Sequence, residues 1–338
     1  MKPPCLPLLL LAAYPGLIHA ADLAVVKTEF IFDSAPFQSC HASTLVEVKD
    51  GLVAAWFGGM REGNPDVGIW SARQHDGQWT VPVEVANGVR PDGTRAACYN
   101  PVLFQLPSGP LSLYYKVGGH PRGWSGYCKT SVDGGKTWSA PKPLPEPLIG
   151  PVKNKPVLLT DGTLLSGSST EHDGWRVHFE RSTDGGKSWQ FIGPVNDGRQ
   201  IAAIQPSILQ YPGGRLQAVG RTRQGRIFQI WSEDGGKSWG EMTLTTLPNP
   251  NSGIDALTLR DGRQLLVYNH TAKGRSPLNV AVSRDGRDWH PALVLESEKG
   301  EFSYPAVIQT GDGLVHVVYT WKRQRIKHVV VDPRKLNP

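Results

Sequence analysis

Several features that mark common protein classes are scarce or missing in this chain. Beyond the N-terminal segment there is no apolar run of 18 residues, so the rest of the chain offers no membrane-spanning helix. No long window rich in Ala, Glu, Lys, Leu and Arg appears, which argues against a helical bundle or coiled coil. Lys and Arg outnumber Asp and Glu by 36 to 30 but are scattered without a basic block. That pattern speaks against a nucleic-acid partner, while a mildly positive surface favours the approach of acidic ligands. Cysteine is sparse, with four residues at positions 5, 40, 98 and 128. No Cys/His spacing suits a metal, so neither a metal site nor any other cofactor is expected.

Met1-Lys2, the apolar stretch 6–13 and the small-residue end at Ile18-His19-Ala20 read as a signal peptide cleaved near Ala20. The expected organisation is a signal peptide over 1–20 and one domain over 21–338, destined for secretion or the periplasm. Oligomeric state is left open. Cleavage removes Cys5 and leaves an odd number of cysteines. Two readings then stand side by side: a Cys40–Cys98 disulfide in an oxidising compartment, or three free thiols.

What the chain has in abundance is repetition. The pattern S-x-D-G-G-x-x-W occurs at 131–138, 182–189 and 232–239, with a shortened copy at 283–289 and a degraded one at 71–79. The five Trp residues that end these units fall at spacings of 59, 51, 50 and 50, a period that dictates the architecture. The unit suits a hairpin tip: Asp bonds its own backbone just beyond, the glycine pair supplies left-handed positions, and Trp packs back on the strands. Trp138, Trp189 and Trp239 are accordingly expected to be buried. With 38 Gly and 28 Pro, the chain suits short strands joined by tight turns.

This octapeptide resembles the Asp-box, or BNR repeat, of the sialidase (neuraminidase) superfamily, and the resemblance covers nearly all of the mature chain. It implies an all-β, six-bladed propeller of four-stranded antiparallel blades, with glycan chemistry at the centre of one face. The Asp-box itself is peripheral and structural there, so function must be argued from the centre. A second repeat supports the blade count. Six apolar strand–turn–strand openings lie at 41–51, 100–109, 155–162, 205–214, 255–262 and 304–313. The sixth has no box and ends near 326–331, so a strand within 23–32 is expected to close it, tying N- and C-terminal strands into one blade.

First strands of a propeller line the channel, and their leading residues form a ring: His41, Tyr99, Asn100, Lys155, Gln205 and Tyr304. Second strands end correspondingly at Phe57, Lys116, Ser169, Arg221, His270 and Tyr319. So many basic, aromatic and amide residues at strand ends point to a binding site. The resemblance implies a sialic-acid carboxylate held by three arginines, a Tyr nucleophile paired with Glu, and an Asp acid/base. By position, Arg221 and Arg275 match two of the arginines, Tyr304 matches the nucleophile, and Asp66 lies in the acid/base loop with Glu62. Two positions depart from the pattern: His41 stands where the first arginine belongs, and Gln205 stands where the Tyr-activating Glu belongs.

A carboxamide takes no proton from a phenol, and an imidazole forms no bidentate fork. The expected activity is therefore a secreted, sialidase-like glycoside hydrolase with a modified centre, acting on a sialic acid or a uronate. Asp66, Tyr304, Glu62, His41 and Gln205 are the catalytic candidates. Arg221, Arg275, Lys116, His270 and Asn100 are the substrate-binding ones. Two alternatives stay open, a uronate-cleaving lyase with His41 and Tyr304 as base and acid, and a non-catalytic carbohydrate-binding propeller.

Overall fold

Six antiparallel sheets make up the computed structural model, which describes residues 22–337 with Pro91 excepted. The signal-peptide reading of 1–20 lies outside the described residues. The sheets follow one another as propeller blades. Their innermost strands are Ser39–Val48, Cys98–Gln105, Val157–Leu158, Ala203–Gln210, Asp255–Thr258 and Phe302–Gln309. Blade one carries an extra outer strand, Val83–Ala86, beside Gln78–Trp79. The ring closes as expected: Val25–Phe30 pairs antiparallel with Arg325–Val331 and forms the outer edge of the sixth blade. Among the described residues no helix is long and apolar enough to cross a membrane.

Inner and middle strands are buried on both faces, because each blade lies against the next. Leu216–Thr222 is buried along its whole length, whereas the peripheral strand Thr243–Pro248 has its solvent side exposed. Apolar clusters sit between blades: Leu209, Val219 and Ile227 of the fourth pack with Ala256, Leu266 and Ala281 of the fifth. Burial of this continuous apolar surface is the main force holding the ring.

Around the periphery, the three full repeats fold in the same way. In the second blade Ser131 Oγ donates to Asp133 Oδ1 at 2.7 Å and accepts from Gly135 N at 2.8 Å. Asp133 Oδ1 also accepts from the Lys136 and Thr137 amides, and its Oδ2 from Thr137 Oγ1. The same bonds recur around Asp184 and Asp234. The second glycine of each tip has a positive φ (81° at Gly135, 87° at Gly186, 81° at Gly236), which a side chain would disfavour. Trp138, Trp189 and Trp239 are half-buried rather than buried. Each sits on its hairpin tip at the molecular rim; Trp239 stacks on Phe179 of blade three with centroids 3.9 Å apart.

Cys40, Cys98 and Cys128 are all free thiols. Cys40 belongs to the core between blades six and one, and Cys98 to the core between one and two, so no bridge links them. Burial pushes the Cys98 thiol up to about 12, leaving it protonated and unreactive near neutrality.

Candidate active site

A distortion repeated from blade to blade turns side chains toward the channel. The ladder slips between His41 and Thr44, between Tyr99 and Val102, between Ile204 and Ser207, and between Ser303 and Ala306. Each slip holds one non-glycine residue in the left-handed region: Ala42 (φ 55°), Asn100 (41°), Gln205 (59°) and Tyr304 (53°). Asn100, Gln205 and Tyr304 are each followed by a proline, which has no N–H for the ladder. Bulges re-aim side chains, and non-glycine residues at positive φ concentrate at functional sites. Blade three departs from the expected register. Its left-handed residue is Lys153 (φ 73°), two positions before the predicted Lys155.

Tyr304 is the centre of the group. Arg221 Nη1 donates to its phenolic oxygen and also to Gln205 Oε1 at 3.3 Å. Asn251 Oδ1 accepts from Arg221 Nε at 3.0 Å and from Nη2 at 2.7 Å, fixing the guanidinium plane. The guanidinium carbons of Arg221 and Arg275 lie 5.5 and 5.4 Å from the Tyr304 ring centroid, and the His41 ring lies 4.2 Å from it. Gly253 abuts the same ring: a Cβ there would meet Tyr304 Cγ and Lys153 Cε at 3.2 Å. Trp175 lies under Arg221 and Arg223, 5.0 and 4.3 Å from their guanidinium carbons.

The electrostatics follow from this crowding. His41 is buried and its Nδ1 bonds Thr320 Oγ1 at 2.9 Å. Burial, followed by the positive charges of Arg323, Arg275, Arg221 and Lys153, holds its pKa well below the usual imidazole value, so the ring is neutral at physiological pH. Lys153 is likewise buried, its ammonium held by Asn154 Oδ1, the Ile254 carbonyl and the Pro305 carbonyl. Burial brings its pKa down to about 7 against the opposing pull of Asp255.

Carboxylates near the mouth are already paired. Glu301 Oε1 accepts from Arg275 Nη1 at 2.8 Å and from Arg323 Nε at 2.9 Å, and Glu62 Oε2 accepts from Arg323 Nη1.

His41, Gln205, Tyr304, Arg221 and Arg275 thus come together, and Glu62 reaches the group's edge through Arg323. Asp66 is exposed, with its Oδ2 accepting from Met60 N at 2.6 Å within its own loop. Asn100 occupies the second-blade bulge and is buried. His270 is exposed on the fifth blade and bonds the Tyr268 hydroxyl. Lys116 is placed differently from expectation. It is fully buried, donates to the Pro151 carbonyl at 2.8 Å, and is brought down to about 7 by burial. The residue is a register partner of Tyr99, and its side chain enters the space between blades two and three rather than the channel.

Lys155 reaches across the channel to Asp255 at 2.9 Å. That buried Asp255 also accepts from Ser207 Oγ of blade four and from Val307 N of blade six. Asp255 therefore ties four blades together beneath the site. Arg323, Asn251, Glu301, Lys153 and Trp175 are members of the centre that the sequence repeats did not nominate.

A family model described as a BNR repeat-like domain matches residues 50–317. A sialidase of Bacteroides fragilis (strain YCH46) is 26% identical over 194 residues, a stretch covering 50% of this chain and 34% of that protein. Among solved structures, a protein of unknown function from Dyadobacter fermentans superposes with a TM-score of 0.75 at 20% identity, covering 90% of this chain and 98% of that one. The intramolecular trans-sialidase from Ruminococcus gnavus gives 0.74 at 14%, with coverage of 94% and 100%. A sialidase from Streptococcus pneumoniae gives 0.73 at 12%, with coverage of 91% and 71%. At such identities the structural likeness is one of fold.

Proposed function

Since the chain belongs to the BNR repeat-like domain family, we propose that it is a secreted glycan-active enzyme that recognises the carboxylate of an acidic sugar, a sialic acid or a uronate. The observation that carries this reading is the pair of guanidinium groups, Arg221 and Arg275, set about 5.5 and 5.4 Å from the Tyr304 ring. Guanidinium forks match carboxylates in planar, bidentate geometry. Among the described residues, Nε and Nη2 of Arg275 have no protein partner and are open to such a ligand. Arg221, Arg275 and Arg323 carry three positive charges against two negative ones on Glu62 and Glu301, so the mouth presents net positive charge to an acidic ligand.

The reaction proposed first is hydrolysis of a terminal glycosidic bond. Tyr304 supports the anomeric centre, and Asp66 or Glu62, on one loop, protonates the leaving oxygen. One observation favours a second reaction. No carboxylate lies within hydrogen-bond reach of Tyr304 among the described residues, and Gln205 adds none, whereas a neutral imidazole packs on the ring at 4.2 Å. A neutral His41 suits removal of the proton beside a uronate carboxyl, with Tyr304 delivering a proton to the departing oxygen and the arginines stabilising the enolate. In that case the acid limb of kcat/KM lies below the ordinary imidazole range, because His41 takes up a proton only at lower pH.

A screen of acidic oligosaccharides with wild type, Tyr304→Phe and His41→Ala tests the reading. Hydrolysis yields new reducing ends without ultraviolet absorbance, and elimination yields both. Tyr304→Phe should abolish either product. Binding without turnover on every acidic glycan would overturn the enzyme reading in favour of a carbohydrate-binding propeller.

A further inference from the structure

The hairpin closing the sixth blade's last two strands is built against the usual preferences of its turn. Trp321 and Gln324 are joined by a backbone bond of 3.0 Å, and the two central residues, Lys322 and Arg323, have φ of 53° and 57°. Turns whose two central residues both have positive φ are dominated by Gly, Asn and Asp. Two long basic side chains there hold the backbone in a sparsely populated region that costs stability. Nothing in the packing requires an arginine at this tip. Its guanidinium is turned inward, and that is where its partners are.

Arg323 lies beside the beginning of the first blade. Its carbonyl accepts from Cys40 N at 2.9 Å, which sets it against the strand start that carries His41. It is the largest source of positive potential acting on that imidazole. Glu301 bridges Arg323 Nε and Arg275 Nη1, so one carboxylate fixes the two guanidinium groups relative to each other. Glu62, from loop 60–67, takes Arg323 Nη1, and its side chain is 43% exposed. Nη2 of Arg323 has no protein partner among the described residues.

We propose that Arg323 is the third arginine of the carboxylate-binding centre and that Glu62 occupies it as an internal competitor when no sugar is bound. Resting on the acidic-sugar reading above, this supplies the guanidinium that His41 does not from the neighbouring sixth blade, beside the start of the first-blade strand. The first-blade strand presents His41, and the adjacent sixth-blade hairpin presents Arg323 beside it. The sugar carboxylate takes the Nη1–Nη2 edge of Arg323 and displaces the exposed Glu62, while Glu301 keeps its bridge between Arg323 Nε and Arg275 Nη1. Exchange of one carboxylate for another leaves the net charge around Arg323 unchanged on binding, and the guanidinium is paired both before and after.

The test measures binding of D-glucuronate and N-acetylneuraminate, with their methyl esters as uncharged controls, by calorimetry at low salt. Arg323→Gly should weaken binding of the acids by ~10-fold or more, the loss expected for a charge-assisted hydrogen bond. It should leave the esters little affected. The same variant places glycine at a positive φ, so its melting temperature should be no lower than wild type, which separates lost binding from lost folding. Glu62→Gln should tighten the acids by removing their competitor, and that gain should vanish in the Glu62→Gln/Arg323→Gly double variant. If Arg221→Ala and Arg275→Ala weaken the acids while Arg323→Gly does not, or if Glu62→Gln weakens them, the proposal is overturned and the acidic-sugar reading stands. If wild type distinguishes neither acid from its ester, the acidic-sugar reading falls and this proposal falls with it.

Discussion

The rim and the hub of this propeller repeat in different ways. At the rim, the three full hairpin tips share sequence and hydrogen bonds, so that Asp133, Asp184 and Asp234 each gather the same two amides and two hydroxyls. At the hub, a left-handed backbone residue recurs while its side chain changes from Ala42 to Asn100, Lys153, Gln205 and Tyr304. Repetition of both sequence and geometry marks a part that does one structural job several times. Repetition of geometry with divergent chemistry marks positions freed to build a single asymmetric site.

Beneath the hub lies a part that is structural without repeating, and it should show the largest effect. Asp255→Ala strips a buried carboxylate from Lys155, Ser207 and the Val307 amide. A loss of about 3–5 kcal/mol in denaturant unfolding is expected, as for breaking one side of a buried pair. A loss below about 1 kcal/mol, within the range of an exposed pair, would show that the four-blade tie is ornamental.

Gln205→Glu probes whether the hub has been rebuilt or merely weakened. The new carboxylate would face Arg221 Nη1, where the carboxamide oxygen now lies at 3.3 Å, and so compete with the sugar for that guanidinium. A fall in acidic-sugar affinity and native turnover of ~10-fold is expected, the scale of a charged hydrogen bond diverted from the ligand. A rise in turnover of an aryl sialoside would instead reveal a sialidase centre lacking only its base.

Effects at the rim should be smaller and interchangeable. Ser182→Ala removes one bond to Asp184 and one from Gly186, for about 1 kcal/mol, with the equivalent changes at Ser131 and Ser232 matching it. Activity should not change in any of the three. Acid should act on the rim as well. Bonds from Ser238, opposed by modest burial, lower the Asp234 pKa from 3.8 to about 2. The native state therefore holds its charge where the unfolded chain takes up a proton. Stability from this tip is complete above about pH 4 and drains away as pH falls toward 2. Asp234→Asn should flatten that part of the melting-temperature profile, and an unchanged slope would contradict the assignment.

The same contrast explains what could be read from the sequence. Blade number and closure were legible because the tips and strand openings repeat; the closing strand Val25–Phe30 falls inside the expected stretch. The hub was legible where a proline follows the bulge, as at Asn100, Gln205 and Tyr304. In blade three the proline follows Lys155, and alignment on it picked the residue that ties to Asp255 instead of Lys153, which holds the left-handed backbone. Lys116 was misleading because the channel and the space between blades lie close together at a strand end. Arg323 left no signal of the usual kind, since its turn contains no Gly, Asn or Asp. Its one clue was a run of basic residues in a hairpin too short to be a loop.

A crystal structure with N-acetylneuraminate or D-glucuronate soaked into the hub is the most direct test of the claim that this centre reads a carboxylate. The sugar is expected at the channel mouth, its carboxylate in contact with Arg221 and Arg275 and its ring over Tyr304. A sugar carboxylate directed to solvent, or a sugar bound only at the rim or on the opposite face, would contradict it.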